Sequence, residues 1–299
     1  MIDVGRPTRQ TADVTPRLTR AFRPIGIIAA LVLAAACAPT PQPAAPQASG
    51  CAKGALPTLK AGTLTFGTDQ PVYPPWFVND DPTSGKGFES AVAYAIADGL
   101  GYPKDKVSWV RVPFNAAIQP GAKTYDLDLN EFSITAERKQ AVDFSSPYYE
   151  VKQAVVAIKG NKAAAAKNLA ALKDVKLGAQ VGTTSLTAIT TQIAPSAQPA
   201  VFNTNDDAKL ALSNGQIDAL VVDLPTAFFI TSAELQNATI VGQIPLGQGT
   251  PEQFGAVLDK GSALTACASQ AVDALRHAGT LQKLDDQWLS SAGSAPTLA

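Results

Sequence analysis

From Leu64 to the C-terminal region, short apolar strands alternate with helical stretches, which restricts the chain to sheets covered by helices. Leu64–Gly67 is apolar and runs into Thr68-Asp69. Phe88, Ala91, Val92, Ala95 and Ile96 fall on one helical face, and Gly99 and Gly101 stop that helix. Trp109–Val112 and Tyr125–Leu129 read as strands, and Thr135 caps a helix from about Ala136. Val151–Ile158 reads as one strong strand, Ala163–Leu172 as an Ala-rich helix and Val175–Ala179 as a strand. Gly182-Thr183-Thr184-Ser185 opens a helix, Ala208–Leu212 is helical, and Ala219–Asp223 is a buried strand. Phe254–Leu258 is a late strand before helices over Leu264–Leu275 and Thr280–Leu289. No internal repeat is present, and composition marks no domain boundary. Periodicity alone therefore leaves the number of lobes open.

Composition narrows the chemistry. Of 299 residues, 46% are hydrophobic and 16% charged, enough apolar material for sizeable cores. A net charge of −1 gives no attraction for nucleic acid. His277 is the only histidine, so histidine metal sites and Ser-His-Asp chemistry lack material. No metal and no cofactor is expected, and an enzyme would have to run on carboxylates, Lys or Tyr.

The N-terminus reads as a targeting segment. Arg6, Arg9, Arg17, Arg20 and Arg23 precede an apolar run from Ile25 to Ala36. That run is shorter than the roughly 20 residues needed to span a bilayer, and its small-residue end matches a secretory signal over residues 1–36. Leu33-Ala34-Ala35-Ala36-Cys37 resembles a bacterial lipobox, in which the cysteine becomes a lipidated first residue. It departs from that pattern at Ala34, where Leu is preferred; the alternative is an ordinary cleaved signal. Residues 37–57 then form the lipid-bearing cysteine and a linker, since Ala38–Gly50 is rich in Pro, Ala and Gln. Cys51 and Cys267 remain as an even pair in an exported, oxidising setting, which reads as a disulfide. Two free buried thiols are the alternative, and geometry decides.

Several motifs follow in order: Gly67-Thr68-Asp69, Tyr73-Pro74-Pro75-Trp76, Gly87-Phe88-Glu89, then Phe132-Ser133-Ile134-Thr135-Ala136-Glu137-Arg138. Val142-Asp143-Phe144-Ser145-Ser146-Pro147-Tyr148, Gly182-Thr183-Thr184-Ser185, Asp218-Ala219 with Asp223, and Gly279-Thr280 with Trp288 complete the series. Over about Gly62–Leu289 it resembles the bacterial extracellular solute-binding proteins that serve polar amino-acid ABC importers. The resemblance implies an α/β fold of two lobes, each a sheet flanked by helices, joined by two crossover strands. Lobe 1 would be 58–152 plus 252–299, and lobe 2 would be 153–251. It also implies a free amino acid as ligand, permease subunits as partners, and a monomer outside the cytoplasm, held on the outer face of the membrane by the N-terminal lipid.

In that family the arginine of this motif binds the ligand α-carboxylate, a role carried to Arg138, whose planar fork suits a carboxylate. Thr183 and Thr184 begin a helix, where backbone N–H groups favour an anion, and Ser133 adds a hydroxyl. Asp223 is expected to accept the α-ammonium. Asp69, Tyr73, Trp76 and Phe114 are expected to face the ligand side chain, with Lys86 or Arg111 able to reach in. Glu131 departs from the family, which usually has a small residue there; it either selects a second cationic group or points away. Ala91 also departs, since the family often has an acid there. Glu137, Asp143 and Asp218 are expected to set local structure. Two other functions compete: a dehydratase with Asp69 or Glu131 as general acid, and a sensor reporting to a membrane receptor. No second catalytic group, transmembrane helix or signalling domain is visible in the sequence, which favours a binder.

Overall fold

The computed structural model describes residues 50–246, 251–289 and 294–299. The expected signal segment, Cys37 and the tether through residue 49 lie outside the described residues. The first sheet begins with β1 (Leu64–Thr68), β2 (Val107–Arg111), β3 (Leu127–Asp128) and β4 (Val142–Phe144). The chain leaves on β5 (Tyr149–Val151) and builds a second sheet from β6 (Gln153–Ile158), β7 (Leu177–Gln180), β8 (Ala200–Phe202), β9 (Ala219–Asp223) and β10 (Ala238–Gln243). It returns on β11 (Glu252–Phe254) and completes the first sheet with β12 (Val257–Asp259). The strand orders are β2-β1-β3-β12-β4 and β10-β6-β9-β7-β8, while β5 and β11 pair antiparallel as the two crossovers.

Each sheet is covered by helices because its strands alternate buried side chains to both faces. The helices are α1 (Phe88–Gly99), α2 (Phe114–Ala117), α3 (Arg138–Ala141), α4 (Thr184–Ala188), α5 (Asn205–Ser213), α6 (Leu224–Phe229), α7 (Thr265–His277) and α8 (Thr280–Trp288). In the first lobe Phe66 and Leu127 pack with Val92 and Ile96 of α1 and Val272 of α7. In the second, Val155 and Val221 face Ile189 and Ile193, while Val156 and Leu220 face Ala208 and Leu212 of α5.

Four expectations need correction. The stretch Val151–Ile158 breaks at Lys152, because β5 pairs with β11 whereas β6 changes partner to β9 from Gln153 onward. Phe254–Leu258 likewise splits at Gly255, where a Cβ would meet Ile134 at 2.8 Å. The Ala-rich stretch Ala163–Leu172 forms two 3-10 turns instead of one helix. Asn161 and Asn168 each restart the chain there by accepting a backbone N–H, from Ala163 and Ala171. Lastly, residues 252–299 do not all belong to the first lobe. Gln243 N donates to Pro296 O at 2.7 Å, Leu298 N donates to Gln243 O at 2.9 Å, and Leu298 fills the second core. β10 is an edge strand with backbone groups to spare, and the tail satisfies them. No helix among the described residues is long and apolar enough to cross a membrane.

Cys51 and Cys267 are bonded, with Cα atoms 5.4 Å apart and a sequence separation of 216. Cys267 lies on α7 inside the first core. A bond closing so long a loop chiefly restricts the unfolded chain. Replacing both cysteines with Ala should lower the unfolding free energy by about 2–5 kcal/mol, read from urea titration. An unchanged midpoint would show that the bond does not contribute.

Candidate functional site

The cleft forms where parallel strands of both sheets end, the usual position for a ligand in open α/β sheets. Asp69 follows β1, Asn130 and Glu131 follow β3, Gln180 ends β7 and Asp223 ends β9. Arg138, Phe114, Tyr73, Thr183 and Thr184 complete the wall with Pro71, Ser185, Asn205 and Val222. The enclosed space is about 40 Å³, room for only a few waters.

Arg138 is 8% exposed. Its Nη1 donates to Ser133 O at 2.8 Å and its Nη2 to Gly182 O at 2.9 Å, tying the lobes together. The guanidinium lies over the Phe114 ring, 5.5 Å from the centroid. Burial lowers its pKa, opposed by Glu252, Asp223 and Glu137. Gly182 is needed at the turn: its φ is +73°, and a Cβ would fall 2.1 Å from Asn115 Oδ1. Thr183 caps α4, accepting from Leu186 N at 3.2 Å and donating to Gln180 O at 2.7 Å. The neighbouring Thr184 hydroxyl is left for the cleft, 3.2 Å from Ser133 Oγ.

The carboxylates cluster. Gln153 Nε2 donates to Asp223 Oδ1 at 2.6 Å, and Thr226 Oγ1 donates to Glu131 Oε2 at 3.1 Å. The Glu131 and Asp223 carboxyls also interact with each other directly across the cleft. Burial, reinforced by neighbouring negative charge, pushes both carboxyls well above the usual range. Behind them Glu89, pushed up to about 7 by burial, accepts from the Tyr148 hydroxyl and from Glu131 N at 2.7 Å. Glu131 sits at φ +55°, a left-handed conformation that a side chain resists, so the Glu89 contact holds a strained backbone in place. Asp69 accepts from Gln70 N at 2.7 Å and Phe114 N at 3.2 Å, and burial is the main cause of its raised pKa.

Some expected residues lie elsewhere. Trp76 is fully buried and does not line the cleft. Phe88, Tyr149 and Phe254 surround it edge-on, and its Nε1 donates to Thr226 Oγ1 at 2.8 Å. It therefore supports the cleft from behind Thr226. Ser133 is also buried, its hydroxyl donating to Glu252 and lying 3.2 Å from Thr184 Oγ1. Arg111 is turned outward, paired with Asp80 at 2.9 Å, and Lys86 is exposed outside the cleft. Asp143 accepts from Gly261 N and Lys260, and Asp218 from Lys176 N and Lys162, so both hold local structure.

The profile of the family described as bacterial extracellular solute-binding proteins, family 3, matches residues 64–291. The chain belongs to this family. The L-arginine-binding protein of Pseudomonas aeruginosa is similar, 29% identical over 79% of this chain and 95% of that protein. An ancestral arginine-binding protein, solved bound to arginine, is 31% identical with a TM-score of 0.64, covering 76% of this chain and 97% of that one. An ancestral amino-acid-binding protein described as a precursor of cyclohexadienyl dehydratase is 28% identical with a TM-score of 0.62, covering 76% and 95%.

The polar cleft residues Asn130, Gln180 and Asn205, together with Gln153 and Glu252, were not singled out from the sequence. Gln153 opens β6 directly after the crossover and bonds Asp223, Ser185 and Glu252. Glu252 opens β11 and accepts from both Ser133 and Thr184 hydroxyls. Neither lies within a recognisable motif; only their places at the two crossovers mark them.

The raised Glu131 pKa gives a pH dependence. In the unfolded chain Glu131 ionises near the ordinary glutamate value of 4.5, while the folded chain keeps its proton to higher pH. Stability from this group is thus complete below that value and lost as pH rises toward the folded pKa, at about 1.4 kcal/mol per pH unit. Glu131→Gln should flatten the decline in stability between acid and neutral pH. Unfolding curves with an unaltered pH slope would refute the raised Glu131 pKa.

Proposed function

We propose that this protein captures an amino acid with a cationic side chain outside the cytoplasm and passes it to an ABC importer. The observation carrying this reading is the charge balance of the cleft: Asp69, Glu131, Asp223 and Glu252 against Arg138. Such a site favours a ligand that brings more than one positive group. The α-ammonium is accepted by Glu131 and Asp223, and Arg138, Thr184 and Ser133 take the α-carboxylate. The distal cation lies toward Asp69, between Tyr73 and Phe114, whose rings suit an apolar stem beneath a charge. The arginine-binding proteins among its relatives support the same class. We read the protein as a carrier rather than a catalyst, since its family and the relatives it resembles are binding proteins.

In this reading lobe 1 is 58–152 with 252–289, and lobe 2 is 153–251 with the tail 294–299. The lobes part to admit ligand and close over it, as hinged two-lobe binders do. Titration calorimetry with L-arginine tests the proposal: wild type binds and Arg138→Ala loses roughly 2–5 kcal/mol. An unchanged dissociation constant would reject the role of Arg138, and chemically altered ligand would reject the carrier.

We further propose that Cys37 carries the lipid that holds a monomer on the outer face of the membrane. The lipobox-like sequence and the Pro/Ala tether support this. Cys37→Ser should move the protein from the membrane to the soluble fraction; retention would refute the anchor.

A further inference from the structure

Glu252 projects from a strand whose position is fixed on both sides. Its strand β11 pairs with β5, Glu252 lying opposite Val151, and Gln253 O accepts from Ile134 N at 2.8 Å. The side chain reaches the meeting point of the lobes. One oxygen accepts from the Ser133 hydroxyl of the first lobe and the Thr184 hydroxyl of the second. The other accepts from Gln153 Nε2 at 3.2 Å. Among the charges acting on Arg138, that of Glu252 is the largest. Two hydroxyls and an amide N–H make a carboxylate subsite within the field of the Arg138 guanidinium, and here the chain supplies the carboxylate.

We propose that Glu252 is an internal occupant of the ligand-carboxylate subsite, which the incoming α-carboxylate must displace. This rests on the amino-acid reading given above. Two carboxylates cannot share the same hydroxyls beside one guanidinium, since their repulsion and the single donor set forbid it. Binding therefore requires Glu252 to swing out, and the apparent affinity falls by the fraction of molecules in which it is bound in place. Glu252 thereby sets selectivity. A diamine lacking the α-carboxylate leaves Glu252 where it is and gains from its charge, whereas a zwitterion competes with it.

The test compares L-arginine with agmatine, which is arginine without its α-carboxylate, by titration calorimetry on wild type, Glu252→Ala and Glu252→Gln. Removing the occupant should tighten arginine binding by about tenfold and weaken agmatine by a similar factor. Glu252→Gln keeps the side-chain size and should shift both ligands in the same directions, which covers the case that Glu252→Ala fails to fold. A merely structural or long-range electrostatic role moves both ligands the same way. Parallel shifts, or none, would overturn the proposal. Wild type that binds neither ligand would instead overturn the amino-acid reading itself.

Discussion

Where the two sheets meet, a buried guanidinium lies in the field of nearby carboxylates, and the rest of the site follows from how those charges are made tolerable. Arg138 is held by carbonyls from both lobes and lies over the face of Phe114. Glu131 and Asp223 are tolerated at close range because burial raises both pKa values and Thr226 and Gln153 donate to their oxygens. Each of these arrangements spans the cleft. In the proposed reading, a ligand that brings positive charge compensates these carboxyls as the lobes close, so that no buried charge is left unpaired.

The fold supplies this geometry through its two crossovers. β5 delivers Gln153, the first residue of β6, into the cleft, and β11 delivers Glu252. The aromatic packing of Trp76 against Phe88, Tyr149 and Phe254 secures the crossovers on the first lobe. Through Thr226 the same indole touches the second lobe, so the core and the cleft share one hydrogen-bonded chain from Trp76 to Glu131. The C-terminal tail adds a further contact on β10.

What could be read from the sequence was local. Arg138, Thr184 and Asp223 stand at helix starts and strand ends whose signals lie within a few residues, and the structure brings all three to the cleft. The cysteine pair was legible because only one even pairing remained in the folded part. Glu252 and Gln153 were not, because their importance arises from two strands crossing between lobes far apart in sequence. Trp76 shows the same limit from the other side: an aromatic residue serves a core or a wall, and three partner rings decided for the core. The Ala-rich stretch near Ala163 misled because two asparagine caps outweighed its helix propensity.

The central claim is that the carboxylates select a second positive charge on the ligand. Titration calorimetry with L-arginine and L-citrulline tests it directly, since the two share shape and differ in that charge. The account predicts micromolar or tighter arginine binding and citrulline weaker by about a hundredfold or more. Equal affinity, or a preference for citrulline, would contradict it.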